Sequence, residues 1–78
     1  MSTVQLARVT DGPGLVAELA SHGLRGELVG LERLAVEVAD CDHAALGHAI
    51  EDWIHARDLP LVPVRLDEHT YSVAPAAG

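Results

Sequence analysis

Apolar and polar positions along this chain fall into short blocks whose spacing alternates between two and about 3.6 residues, which marks strands interleaved with helices. Val4 to Val9 reads as a first strand, with Val4 and Leu6 on one face and Gln5 and Ala7 on the other; Arg8 interrupts the pattern near its end. Thr10 or Asp11 can cap the helix that follows, and Pro13 suits its first turn, where a missing N–H leaves no bond unmade. Leu15, Val16, Leu19 and Ala20 form the apolar stripe of this helix. Ser21-His22-Gly23-Leu24 ends it, with Gly23 fitted to the left-handed position after the cap and Leu24 to the apolar position beyond.

A second strand spans Leu24 to Val29, weakened by Gly26, and a third spans Leu34 to Ala39, with Leu34, Val36 and Val38 sharing a face. Gly30 to Arg33 is short enough to join them as a hairpin. Asp40 and Asp42 offer caps for a second helix from His43 to Arg57. Its face Leu46, Ile50, Trp53 and Ile54 is apolar, and the opposite face carries His48, Glu51, Asp52 and His55. Leu59 to Leu66 reads as a fourth strand carrying Pro60 and Pro63. Asp67-Glu68 reads as a turn, Thr70 to Val73 can return as a short fifth strand, and residues 74 to 78 are expected to fray.

The order predicts an α+β fold, a ferredoxin-like βαββαβ two-layer sandwich with an antiparallel sheet in the order 4-1-3-2. The second and fourth strands then lie at the edges, where glycine and proline do least harm to the ladder. The likeness of Leu6-Ala7-Arg8-Val9-Thr10-Asp11 to Leu34-Ala35-Val36-Glu37-Val38-Ala39-Asp40, each before a helix, is a faint internal repeat that agrees.

With 78 residues there is one domain, residues 1 to 78 with a core from about 4 to 73, and no room for a second core. The apolar fraction of 49% comes mainly from Ala, Leu and Val; Trp53 and Tyr71 are the only aromatics, and there is no Phe. Small aliphatics pack tightly and rarely enclose a roomy pocket, which argues against a buried-substrate enzyme. The net charge of −7, with five Arg as the only basic residues besides histidine, repels phosphate backbones and anionic headgroups. Nucleic acid and membrane are therefore not expected as partners. A single cysteine, Cys41, and the absence of a basic-then-apolar leader predict a reduced, cytoplasmic setting.

Asp11-Gly12-Pro13-Gly14-Leu15, closing a strand and opening a helix, resembles the start of ACT domains. These are ferredoxin-like regulatory modules that bind amino acids at dimer interfaces near the glycine of that turn. Asp11, Pro13 and Gly14 match over a likeness covering about residues 4 to 54, and Gly14 is the ligand-facing position that the resemblance implies. Pro13 to Gly23 is about one helical turn shorter than is usual in that family. Ala17 to Leu24 and the helix start from Asp42 to Ile50 are also similar to a group of small bacterial signal-transducing proteins of ferredoxin-like fold.

Asp11, Gly12, Pro13 and Gly14 form the candidate ligand or partner site, since amides at a helix start bind carboxylates; the same residues also make an ordinary cap and turn. His48, Asp52 and His55 recur at i, i+4 and i+7, with Asp42 and His43 a turn earlier. Seven residues separate the imidazoles by about 10 Å along the axis, so a solvated polar face is the better reading and no metal is expected. Cys41 lies before a helix, where the dipole favours a thiolate, but Asp40 and Asp42 oppose one; it reads as inert. Neither catalytic residues nor a cofactor is expected. Trp53 reads as a core anchor, and Tyr71 suits either core or interface. The leading expectation is a non-catalytic regulatory or interaction module that self-associates as a homodimer, with a small ligand such as an amino acid at the turn. Its bases are a thin core, a bare sheet face with Ala7 and Ala35, and an unblocked edge. The alternatives are a small dimeric ferredoxin-like enzyme, which would need His22 and His69 brought together, and a subunit of a larger assembly.

Overall fold

Two helices lie on one side of a five-stranded mixed sheet in the computed structural model of the chain, which describes residues 2–39 and 42–76. In chain order the elements are β1 (Ser2–Gln5), a 3-10 turn (Val9–Asp11), α1 (Gly12–Ser21), β2 (Arg25–Val29), β3 (Ala35–Ala39), α2 (His43–Ala56), β4 (Leu61–Asp67) and β5 (Thr70–Pro75). The class is α+β, as expected.

The first strand is shorter than its apolar pattern suggested. Arg8 donates from Nε and Nη2 to the two carboxylate oxygens of Asp11 at 2.9 and 3.0 Å. The Asp11 N–H bonds back to the Arg8 carbonyl at 3.2 Å, closing the 3-10 turn. This fork draws the chain out of the sheet after Leu6, whose N–H still reaches the Leu34 carbonyl at 2.7 Å, and it leaves Val9 on the surface. Ala7, expected on the sheet face, therefore lies in the exposed link after β1.

Both helices stop by the same device. In α1, Leu24 N–H bonds the Leu19 carbonyl and Gly23 N–H the Ala20 carbonyl, with Gly23 at φ 77°. In α2, Leu59 N–H bonds the Ile54 carbonyl and Asp58 N–H the His55 carbonyl, with Asp58 at φ 50°. Each is a Schellman stop, and each places a leucine against the core directly after the helix. The first was legible from Gly23; the second uses an aspartate where glycine is the easier residue. Asp42 caps α2 by accepting from the Ala44 N–H at 3.3 Å.

The sheet order is β2-β3-β1-β5-β4. This corrects the expected order and the expected antiparallel sheet: β5 lies between β1 and β4, and β1 and β5 run parallel. The hairpin turn between β4 and β5 is tied by the His69 N–H, which bonds Asp67 Oδ1 at 2.8 Å, so β5 must lie beside β4. On the inner side β5 buries Val73 and packs Tyr71 against the core, burial that an outer position beyond the helices could not supply. β5 also has a free N–H at every position up to Pro75, whereas β4 carries Pro63, so β5 is the strand able to bond two neighbours. The edges are still β2 and β4. β5 runs to Pro75, and the Ala76 N–H bonds the Pro60 carbonyl at 2.9 Å, so residues 74 to 76, expected to fray, continue the sheet.

The core sits between sheet and helices. Val4, Val36, Val38 and Val73 from the strands meet Leu15 and Leu19 of α1 and Leu46, Ile50 and Trp53 of α2. Gly26 belongs to this packing. A Cβ there would stand 2.8 Å from Leu19 Cδ1 and 3.0 Å from Val36 Cγ1, so the bare backbone lets α1 lie close on β2. The β2–β3 connection is a hairpin, as expected, with Gly30 at φ 88°.

Candidate functional site

The turn at the start of α1 is packed inward. Asp11 is only 8% exposed, and its carboxylate is occupied by Arg8. Gly12 is buried with its backbone against Leu28, where any Cβ would collide with that side chain, and its N–H donates to the Val9 carbonyl. Pro13 has no N–H and is exposed. Gly14 is half-buried and turned toward α2, with Trp53 Nε1 and the Arg57 guanidinium beside it. The four residues are adjacent, and they share helix packing and a 3-10 turn that consumes a helix-start amide. Asp11, expected as a cap, makes no side-chain hydrogen bond to the amides of this helix start, because Arg8 holds its carboxylate.

His48, Glu51, Asp52 and His55 line the solvent face of α2. Asp52 reaches across to His22 at the end of α1, with Oδ2 3.4 Å from Nε2, while Glu18 Oε2 lies 3.1 Å from the same nitrogen. This imidazole between two carboxylates ties the helices together at the surface. His69 lies in the β4–β5 turn, where its carbonyl accepts from the Thr3 N–H. No hydrogen bond or ion pair joins His22 to His69, and no group of three or more His, Cys, Asp or Glu is spaced to hold a metal ion, among the described residues. Cys41 and Asp40 lie outside the described residues.

Trp53 is 1% exposed and anchors the core, as expected; its Nε1 has no hydrogen-bond partner among the described residues. Tyr71 belongs to the core side. Its ring stacks on His43 with centroids 4.7 Å apart and planes 22° apart, and its hydroxyl approaches the backbone of Gly47. His43, a turn before the His48–His55 face, thus packs at the first helical position against a side chain of the core side rather than continuing that face.

What stands open is the other side of the sheet. Register puts Thr3 and Gln5 of β1 beside Ala35 and Glu37 of β3 and beside Thr70 and Ser72 of β5, all on the face opposite the helices. Val62 and Val64 of β4 join that face opposite Ala74 and Ser72, each 42% exposed, with Leu66 in the adjoining bulge 54% exposed. At the far side Val29 lies opposite Ala35, next to the fully exposed Leu31 of the hairpin. Two apolar flanks therefore border a floor of small and polar side chains. The alternation Val62-Pro63-Val64 carried part of this signal in the sequence, but only register shows which face it joins. Leu31 gave no periodic signal, being a lone leucine in a turn.

No family model matches the chain, and no curated protein matches it either. No helix among the described residues is long and apolar enough to cross a membrane.

Proposed function

We propose that this protein is a non-catalytic interaction module that self-associates through the bare face of its sheet. The observation that supports this reading most directly is the exposed pair Val62 and Val64 on the sheet face turned away from the helices, with exposed Leu66 in the bulge beside them. Single exposed apolar residues are ordinary on a protein surface, but a run of them at the border of an uncovered sheet face marks an interaction surface. A two-fold, face-to-face pairing sets the β4 flank of one copy over the Val29 and Leu31 flank of the other, with side chains no larger than Gln and Glu between them. Burial of that face also adds stability where the single core is small.

The turn at Asp11 to Gly14 fits a ligand less well than the sheet face fits a partner, because its carboxylate and its glycines are engaged within the chain. The test is sedimentation velocity across protein concentration for wild type, Val64→Lys with Leu66→Lys, and Leu31→Lys. Wild type is expected to associate and both variants to remain monomeric, with circular dichroism unchanged because the substituted side chains are exposed. A wild type that stays monomeric into the millimolar range, or variants that associate equally, would overturn the reading.

A further inference from the structure

The two edges of the sheet are unlike. β4 carries Pro63, which deprives that edge of a donor, and a bulge between Arg65 and Asp67 that bends it away. β2 is regular along all of its paired positions, and its outer backbone groups face no strand. Beside it runs an open groove of about 570 Å³. One wall is apolar, formed by Val16 and Ala20 of α1 with Leu24. The other, on the bare sheet face, carries two carboxylates and one cation: Glu27 and Glu37 stand directly opposite each other across the β2–β3 ladder, with Arg25 at the end of the groove. Like charges placed so repel, and neither has an ion-pair partner among the described residues.

We propose that this edge receives an extended segment of a partner protein in which apolar residues alternate with Lys or Arg, added to β2 as a sixth strand. The strand period sends alternate side chains to opposite faces. Apolar side chains of the added strand then enter the Val16–Leu24 wall while its cations meet Glu27 and Glu37, and the main-chain groups of β2 gain their missing bonds. A second copy suits this edge less well, because a β2–β2 pair would gather the four Glu27 and Glu37 carboxylates of both chains against only their two Arg25. Glu27 and Glu37 border the bare face assigned above to self-association, whereas the apolar wall and the unbonded main chain of β2 lie at the edge outside it; the charge that disfavours a copy at this edge selects a basic partner.

The probes are short synthetic peptides: one alternating valine and lysine, one alternating valine and glutamate, and one with the composition of the first but its lysines and valines in separate blocks. Backbone amide NMR at low salt reads both affinity and location. The alternating valine–lysine peptide is expected to shift resonances of Arg25 to Val29, Val16 and Ala20. Glu27→Gln with Glu37→Gln, both at accessible positions, should weaken it about fivefold to tenfold, as for two solvent-screened ion pairs. N-methylation of alternate peptide residues should abolish binding, because added strands hold through backbone bonds. Equal binding by the glutamate or blocked peptide, shifts centred on β4, β5 or β1, or no binding at millimolar peptide would each overturn the proposal. Val64→Lys with Leu66→Lys, on the β4 side far from this edge, separates the two proposals, since it should abolish self-association and leave peptide binding unchanged.

Discussion

Replacing Gly26 with alanine adds one carbon where α1 crosses β2. That carbon would stand 2.8 Å from Leu19 Cδ1 and 3.0 Å from Val36 Cγ1, well inside the ~3.5 Å at which carbon contacts become favourable. Neither neighbour can yield cheaply. Both are fully buried, and Val36 is β-branched with one favoured side-chain rotamer. Relief requires α1 to lift from β2, which loosens Leu15 and Leu19 together. Overpacking of this kind costs about 1–3 kcal/mol, and the lower chain entropy of the unfolded alanine variant offsets ~0.4–1 kcal/mol. The expected net loss is on the order of 1–2 kcal/mol, and at ~4–8 °C per kcal/mol for a domain of this size the melting temperature should fall by roughly 5–15 °C. Gly14→Ala is the matched comparison. Its nearest neighbour to an added Cβ is Trp53 Nε1 at 3.4 Å, an ordinary contact, so the entropy gain should stand alone and raise stability by about 0.5–1 kcal/mol. The assay is thermal and urea unfolding by circular dichroism, at one low protein concentration because association would add to apparent stability. If Gly26→Ala melts at or above wild type, the close approach of α1 to β2 is not limited by the missing side chain, and the reasoning fails.

Asp58→Gly should stabilise by about 0.5–1 kcal/mol, because φ 50° at the position after α2 suits glycine better than any residue with a Cβ; no rise in melting temperature would contradict the Schellman stop. In a double-mutant cycle of Arg8→Ala and Asp11→Ala, the two-pronged contact to a nearly buried carboxylate should give a coupling of about 1 kcal/mol; additive single effects would show that the fork does not hold the 3-10 turn. Asp67 should titrate below its ordinary 3.8, chiefly because the His69 N–H bonds its carboxylate, with a further contribution from the Thr70 side chain. Since the ionised form is the one favoured by folding, its contribution is complete above 3.8 and is lost as the pH falls through the lowered value. Carboxyl NMR titration of the folded chain reads this directly, and a value at or above 3.8 would refute it.

Much of the fold was determined by residues acting over a few positions. Gly23 and Leu24 end α1, Asp42 starts α2, and the 3.6-residue spacing of Leu46, Ile50, Trp53 and Ile54 defines the face that α2 buries. Pro63 and Gly26 consign β4 and β2 to the edges. These signals are local because backbone geometry, capping and helical period are set by neighbours in the chain. Other features were decided only by tertiary structure. The interruption of the apolar pattern at Arg8 could not show that Arg8 would grip Asp11 and end β1 early. Nor could the pattern of Thr70 to Val73 show on which side of β4 it would lie, since both sides offer the same hairpin and the burial of Tyr71 and Val73, which separates them, is a tertiary contact. The candidate surfaces follow the same division. The turn from Asp11 to Gly14 was visible as a motif, and packing set Gly12 against Leu28 and Gly14 beside Trp53 while Pro13 stayed exposed. The Val62–Leu66 strip and the Glu27–Glu37 pair became surfaces only when register set distant residues on one face, because cross-strand neighbours are chosen by long-range pairing that no short stretch of sequence encodes.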